Sequence, residues 1–380
     1  MSRLRSVILV GAGHAHLYVA AHAAALMERG ARVVLVDPGG FWYSGLATGM
    51  LGGMYEPAED QVDPRALIES QGGEFIRDRV ETVQAGARRL RLAAHGDLTY
   101  DYLSINVGSL VNVDALPGAA HDPTVWSVKP ICNLWKLRSH LEERFHAGEV
   151  PRVAVVGGGA TGSEVAANLK ALAARHDIDL GVVLVTRGDR LIKEAPAGAA
   201  RALQRKLTQR GLVIRTHTRI LRRERESLVA EDGSRIGADI VVLAMGLEAN
   251  PLVHEMGLPA HCKNGLHING RLHSIADQRV FAAGDCAVME GFDLPKLGVF
   301  GVRQAVYIHA NLRASLEGKP LAEYKPQTRY LTILNLGDGT ALATWGSSWW
   351  NGRASMWLKD AIDRRFLERY RRHSHNAQSP

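Results

Sequence analysis

Two stretches of the chain carry the same succession of apolar and polar positions. The first opens with Val7-Ile8-Leu9-Val10 and passes through Gly11-Ala12-Gly13-His14-Ala15-His16 into an alanine-rich segment ending at Gly30. It then resumes with Val33-Val34-Leu35-Val36 and stops at Asp37. The second opens with Val153-Ala154-Val155-Val156, passes through Gly157-Gly158-Gly159-Ala160-Thr161-Gly162 into a segment with helical spacing to about Arg175, and resumes with Val182-Val183-Leu184-Val185. Unbroken aliphatic runs of four predict strands covered on both faces, and the segment between them predicts one amphipathic helix. Each copy therefore reads as a parallel βαβ unit.

The likeness continues downstream. Both copies contain charged, alternating stretches interrupted by turn residues, His95-Gly96-Asp97 and Asp232-Gly233, which predict hairpins. Both then close on an acid, an apolar strand and a glycine: Asp101 to Gly108 and Asp239 to Gly246. The span from Val280 does not open a third copy. It reads Val280-Phe-Ala-Ala-Gly284-Asp285-Cys286, then Pro295-Lys296-Leu297-Gly298, then a helix with apolar residues at Val299, Val302, Val306 and Leu312. This predicts a return to the first domain after insertion of the second. The last segment is rich in tryptophan (Trp345, Trp349, Trp350, Trp357) and ends in a basic helix. The expected division is a first domain of 1–115 and 266–329, a second of 116–265, and a small α+β C-terminal region of 330–380.

A glycine-rich turn between strand and helix lets the backbone approach a pyrophosphate, which the helix N-terminus attracts. Gly157, Gly159 and Gly162 satisfy the whole G-x-G-x-x-G pattern. Gly11 and Gly13 satisfy two of its three positions, with His16 where the third glycine usually serves close packing. Asp37 stands where a carboxylate receives ribose hydroxyls, a place that also suits a plain turn before Pro38-Gly39-Gly40. The second copy has Thr186-Arg187 there. Arg187, with Arg190, suits a 2′-phosphate as well as it suits solvent. His14 and His16 stand within reach of a bound pyrophosphate or the flanking ring edge, although packing and hydrogen bonding account for them more simply.

Composition narrows the classes. A chain of 380 residues has room for two domains, and 46% hydrophobic with 22% charged residues is a globular balance. The net charge of +7 favours anionic partners, but it is dispersed and carries no recognition motif, which excludes a nucleic-acid binder. Cys132, Cys262 and Cys286 are far apart, with neither dithiol nor zinc spacing, and the 16 histidines form no metal motif. No metal site is expected. The apolar run at the N-terminus breaks too soon for a signal peptide, and no segment is long enough to span a bilayer, so a cytoplasmic location is expected. At the other end Leu358, Ile362 and Phe366 form an apolar stripe, with Arg364, Arg365, Arg369, Arg371 and Arg372 around it. Such a helix can lie on an anionic membrane at the inner face of the cell, or pack on the first domain with a solvated basic side.

The order Gly11-x-Gly13, Gly157-x-Gly159-x-x-Gly162-x-Glu164 and Gly284-Asp285 resembles the pyridine nucleotide–disulfide oxidoreductase superfamily. Tyr43-Ser44-Gly45, the histidines of the first turn and the tail from Lys359 to Phe366 resemble its type II NADH dehydrogenase-like branch, the one associated with selenophosphate synthase. The resemblance implies an α/β fold of two Rossmann-like domains, FAD in the first and NAD(P)H in the second. It implies cofactor contacts at Ser44, Gly108 and Gly246, and places Asp285 on the ribityl chain. The helix starting at Gly298 would face the flavin pyrimidine, with Lys296 adding charge and Glu164 facing the nicotinamide. Outside that resemblance Lys296 reads as a surface lysine, and Glu164 as an acid suiting a helix N-terminus.

The expected activity is hydride transfer from NAD(P)H to flavin, then electron transfer to a quinone or another small acceptor, with a functional link to selenophosphate synthase. Oxidation of reduced sulfur or selenium species is the alternative that Pro295-Lys296-x-Gly298 suggests, although paired cysteines are missing. A flavin-dependent redox-sensing module without turnover is the third. Oligomeric state has no signature in the sequence.

Overall fold

The computed structural model describes residues 3 to 375, with side chains up to residue 371. Its two principal sheets repeat one design. In the first, Val280–Ala282, Tyr102–Ile105, Arg5–Val10, Ala31–Val36 and Glu74–Ile76 lie side by side in that order, all parallel. In the second the order is Val125–Ser127, Ile240–Leu243, Val153–Val156, Val182–Val185 and Val213–Arg215, again all parallel. Val7, Ile8, Leu9, Val153, Ala154 and Val155 are buried, as the unbroken aliphatic runs require. An acid repeats with them: Asp101 accepts the Ser6 amide and Asp239 the Arg152 amide, at 2.8 and 2.7 Å. The predicted hairpins are three-stranded antiparallel meanders, 80–99 in the first copy and 220–237 in the second.

The chain crosses between the sheets along a two-stranded ribbon, Ser109–Val111 antiparallel to Leu247–Ala249. Its return strand lies well before residue 266. Residues 250–264, grouped by the sequence with the second domain, lie beyond this ribbon, and Ala85 on the first-copy meander donates to the Met256 carbonyl at 3.4 Å. The first βαβ helix also departs from expectation. It runs His14–Ala21, and after a turn a short second piece, Ala24–Met27, follows. His22 folds back at the break, stacking on Tyr18 and bonding the Tyr18 carbonyl.

The C-terminal region is an antiparallel meander, Leu331–Asn335, Ala341–Trp345 and Ser348–Gly352, followed by the helix Arg353–His375. The meander rests on the second domain. Lys206, on the helix Ala197–Gln209, reaches Asp338 and Thr340 at 2.8 and 2.6 Å, and Arg210 bonds the Leu336 carbonyl. The final helix packs on the first domain, and of the apolar stripe read in the sequence Phe366 meets the core. Its buried residues are Ser355, Met356, Lys359, Asp363, Leu367 and Tyr370, whereas Ile362 is exposed and Leu358 half-buried. The helix turns ion-pairing residues inward because Tyr43, Tyr55 and the Gly45 carbonyl meet them there. Arg364 pairs with Asp360 and Glu59, and Arg371 bonds carbonyls of 58, 59 and 61. The Arg372 side chain lies outside the described residues.

Candidate functional site

Each glycine turn stands at the carboxyl end of its sheet, where strand ends and a helix N-terminus converge. In the second turn a side chain is excluded by backbone atoms at two places. A Cβ on Gly157 would come within 2.4 Å of the Ala244 carbonyl oxygen, and one on Gly162 within 1.8 Å of the Gly157 carbonyl oxygen. Gly159, by contrast, faces open space, as do Gly108 and Gly246, which follow the last strand of each sheet. Packed glycines close the turn and open glycines leave room beside the helix Ala160–Arg175. That is the shape a pyrophosphate requires.

The first turn is locked by a residue that the sequence did not single out. Asn106 accepts from the Ala15 and His16 amides at 2.9 and 3.3 Å, and its amide nitrogen donates to the Ala283 carbonyl at 2.6 Å. A Cβ on Gly13 would collide with it at 2.4 Å. His16 fills the third-glycine position with a buried ring. One ring nitrogen lies 2.6 Å from the Gly11 carbonyl oxygen and the other 2.8 Å from the Ser104 hydroxyl. Burial lowers its pKa to about 4 against the pull of that carbonyl, so the ring is neutral. It ties the turn to the neighbouring strand. Asp37 accepts from the Ala12 amide and from the amides of Gly39 and Gly40, which joins turn and strand end while leaving about one acceptor site, on Oδ2, for a ribose hydroxyl.

Between the turns lies a cavity of about 530 Å³. His14, Ser44, Glu164, Gly246, Lys296 and Gly298 all line it. Gly298 opens the helix Gly298–Glu317, and a Cβ there would touch the His14 ring at 3.3 Å. Of the apolar positions read on that helix, Val299 and Val302 line the cavity while Val306 is exposed. Enclosure lowers the His14 pKa to about 4, with Asp285 opposing and Lys129 assisting, so this ring is neutral too.

Asp285 follows Gly284 at a tight turn; Gly284 has a φ of 71°, and its amide donates to the buried Gln304 side chain at 2.7 Å. The Asp285 carboxylate accepts from Ser109 and from Lys129, each at 2.6 Å. Burial pushes the Asp285 carboxyl up, but the Lys129 ammonium, with Ser109 and Lys296, outweighs it and holds the group below the usual range. Lys129 had no signal in the sequence, since its partner is 156 residues away. Lys296 is no free surface lysine. It donates to the Asn264 carbonyl at 2.9 Å and to the Asp285 carbonyl, and burial lowers its pKa.

Across the cavity Glu164 accepts from the Asn335 amide at 2.7 Å and from Thr48 at 3.4 Å. Burial raises its pKa, opposed by Lys359. Lys359 itself bonds Asp363 at 2.8 Å and the Gly45 carbonyl at 2.7 Å. Burial works against its charge, yet Asp363 foremost, with Glu164, holds it protonated. Asp363 also accepts from the Tyr43 hydroxyl at 2.8 Å, and Phe366 stacks on Tyr43 with ring centroids 4.6 Å apart. The C-terminal helix thus contributes Lys359, Ile362, Asp363 and Phe366 to the lining, residues to which the sequence assigned no part in the site.

The cysteines stand apart from this arrangement. Cys286 is buried, and burial pushes its thiol up to about 11, so it stays protonated; Cys132 is half-buried and Cys262 exposed. Arg187 is exposed just after the strand Val182–Val185, on the carboxyl side of the second sheet, and does not line the cavity.

The chain is 26% identical over 389 residues to a type II NADH:quinone oxidoreductase of Haemophilus influenzae, covering 90% of this chain and 87% of that protein. Among solved structures it is similar to NDH2 from Plasmodium falciparum in complex with NADH, with a TM-score of 0.83 and 14% identity over 99% of this chain and 97% of that one. It is also similar to the sulfide:quinone oxidoreductase of Aquifex aeolicus, with a TM-score of 0.82 and 16% identity over 97% and 92% of the two chains. The model of one family spans residues 5–306, which takes in both glycine turns and the Gly284-Asp285 corner. With the doubled fold and the shared cavity, this match settles the kinship: the chain belongs to the pyridine nucleotide-disulphide oxidoreductase family.

Proposed function

We propose that the chain is an FAD-dependent NAD(P)H dehydrogenase that hands its electrons to a quinone. The observation that carries this reading is a cavity lined from both copies, by His14 and Ser44 of the first and by Ala160, Thr161 and Gly246 of the second, with Glu164, Lys296 and Gly298 in the same lining. Bound FAD supplies the redox chemistry, accepting hydride from the nicotinamide and releasing electrons to the acceptor.

The protein's share is placement and charge. Gly11, Gly13, Ser44, Gly108 and Asp37 hold FAD in the first domain, with His14 and His16 shaping the turn. Asp285, kept ionised by Lys129, takes the ribityl hydroxyls. The N-terminus of the helix at Gly298 favours negative charge by ~0.3–2 kcal/mol depending on burial, and Lys296 adds a full charge beside it. Gly157, Gly159, Gly162 and Gly246 receive the nicotinamide nucleotide, and Glu164 faces its reactive ring. Hydride arrival needs no general base, which suits a site whose histidines are both neutral.

A quinone must reach the cavity from an apolar phase. No helix among the described residues is long and apolar enough to cross a membrane. Trp345 and Ile362 line the cavity and are themselves exposed, and Trp349, Trp350 and Trp357 are exposed nearby in sequence. This edge supports docking on the inner face of a membrane by a protein otherwise in the cytoplasm. The tail from Lys359 to Phe366, which carries the likeness to the branch associated with selenophosphate synthase, forms part of the same wall, and a functional link to that enzyme belongs to this reading.

The test is anaerobic stopped-flow mixing of the flavin-loaded protein with NADH and with NADPH, followed by a menaquinone or ubiquinone analogue. Bleaching by at least one nucleotide and recovery on adding quinone is expected. A flavin band that neither nucleotide bleaches rejects the reading.

A further inference from the structure

The two copies of the βαβ unit differ at one chemically decisive place. Val10 lies opposite Val36 and Val156 opposite Val185, so the residue after each second strand is Asp37 in one copy and Thr186 in the other. Asp37 presents a carboxylate to its turn. Thr186 has none, and its hydroxyl is engaged with the Gly188 amide at 3.2 Å. A Cβ on Gly158 would lie 2.6 Å from the Thr186 side chain, so nothing larger than glycine separates the turn from this residue.

Cations surround the place left by the missing acid. Arg187 is exposed, and among the described residues its guanidinium makes no hydrogen bond or ion pair. Arg190 is fixed across the loop by the Lys193 and Ala195 carbonyls at 2.7 and 3.3 Å, while its Nε is buried without a partner. The His217 amide donates to Gly188 at 2.9 Å and the Thr186 amide to Arg215 at 2.9 Å, which brings two further basic residues alongside. Asp189 and Glu194 are the acids of the loop, both exposed. The loop is anchored to the glycine turn itself, by the Ile192 amide on the Gly158 carbonyl at 2.7 Å.

We infer that this corner is a 2′-phosphate subsite, with Arg187 as its principal ligand, and that the chain prefers NADPH to NADH. A carboxylate after the second strand serves a free ribose 2′-hydroxyl and repels a phosphate, whereas an arginine accepts the phosphate through its planar fork. The inference rests on the second domain being the nicotinamide-nucleotide site.

Two measurements test it separately from turnover. Calorimetric titration of the flavin-loaded protein with adenosine 2′,5′-bisphosphate and with 5′-AMP should show the bisphosphate binding at least about tenfold more tightly, as an added charge-assisted arginine contact predicts. R187A should erase that gap while leaving 5′-AMP binding within about threefold, and T186D should reverse it. In stopped flow NADPH should bleach the flavin with the higher second-order rate constant, and R187A should slow NADPH far more than NADH. Equal or weaker binding of the bisphosphate, or a parallel loss for both nucleotides in R187A, overturns the inference. Tight bisphosphate binding in a protein whose flavin neither nucleotide reduces upholds the subsite and rejects the dehydrogenase reading instead.

Discussion

Asp60 is fully buried, and neither of its carboxylate oxygens has a hydrogen-bond partner among the described residues. Burial, with Asp363 nearby, pushes its pKa from the ordinary 3.8 up to about 8, against Lys359 and Arg371. Between those values the folded protein holds a proton that the unfolded chain releases, so stability falls as pH rises through the interval. Asp60→Asn removes this dependence. Its melting temperature should exceed that of the wild type by a few degrees at about pH 8 and match it near pH 4, by calorimetry. A wild type no less stable at the higher pH, relative to the variant, would contradict a neutral Asp60.

The Lys129–Asp285 pair makes the opposite case. Asp285 is held below its ordinary range, so the pairing contributes fully above that range and is lost as pH falls through the depressed value. Lys129→Met leaves a largely buried carboxylate with Ser109 alone on its side chain, a change of about 3–5 kcal/mol for a fully buried pair and less here, where Lys129 is partly exposed. FAD affinity, titrated into apoprotein, should fall by on the order of 10- to 100-fold, and acid release of flavin should move to higher pH. Unchanged affinity would show that Asp285 does not hold the cofactor through this pairing. Asp285 stood out in the sequence by resemblance, but its pairing with Lys129 and Ser109 did not. A glycine turn is a contiguous word, while Lys129, Ser109 and Asp285 meet only because two separate strand ends and a return corner converge.

At the scale of elements the sequence was far more informative. Aliphatic runs of four with no alternation leave little choice but a buried parallel strand, and both sheets repeat the same order around them. The helices were less legible because each face is chosen by what lies opposite. The final helix buries Lys359 and Asp363, since hydroxyl and carbonyl partners await them, and of the Leu358–Ile362–Phe366 stripe packs Phe366 against the core while Ile362 stays exposed. The first helix breaks at His22, where a ring that bonds its own preceding turn competes with continuation. The glycine turn of the second domain gives the sharpest element-scale prediction. Gly162→Ala sets a methyl against the Gly157 carbonyl, and relief by shifting the helix costs about 1–3 kcal/mol. The variant should remain yellow with an unchanged flavin-to-protein absorbance ratio, while its rate of bleaching by NAD(P)H falls by about tenfold or more. Loss of flavin in this variant would place FAD in the wrong domain.

For the whole molecule, the C-terminal region is what makes one site of two domains. Its meander is tied to the second domain through Lys206–Asp338, its helix to the first through Lys359 on the Gly45 carbonyl, and Asn335 reaches Glu164 between them. Having spent its polar residues inward, the region leaves Trp350 and Trp357 outward, the latter 74% exposed. Neither lines the cavity, so exchanging them separates docking from chemistry. Each buried aromatic at a bilayer surface contributes roughly 1.5–3 kcal/mol when fully withdrawn from water, and less at an interface. The double variant Trp350→Glu, Trp357→Glu should lose about tenfold or more in co-sedimentation with vesicles containing anionic lipid. Its turnover with a water-soluble quinone should stay at the wild-type level, while turnover with a long-chain quinone held in the vesicles should fall with the binding. If the long-chain activity is unaffected, the acceptor reaches the cavity by another edge, and the exposed tryptophans have no part in its delivery.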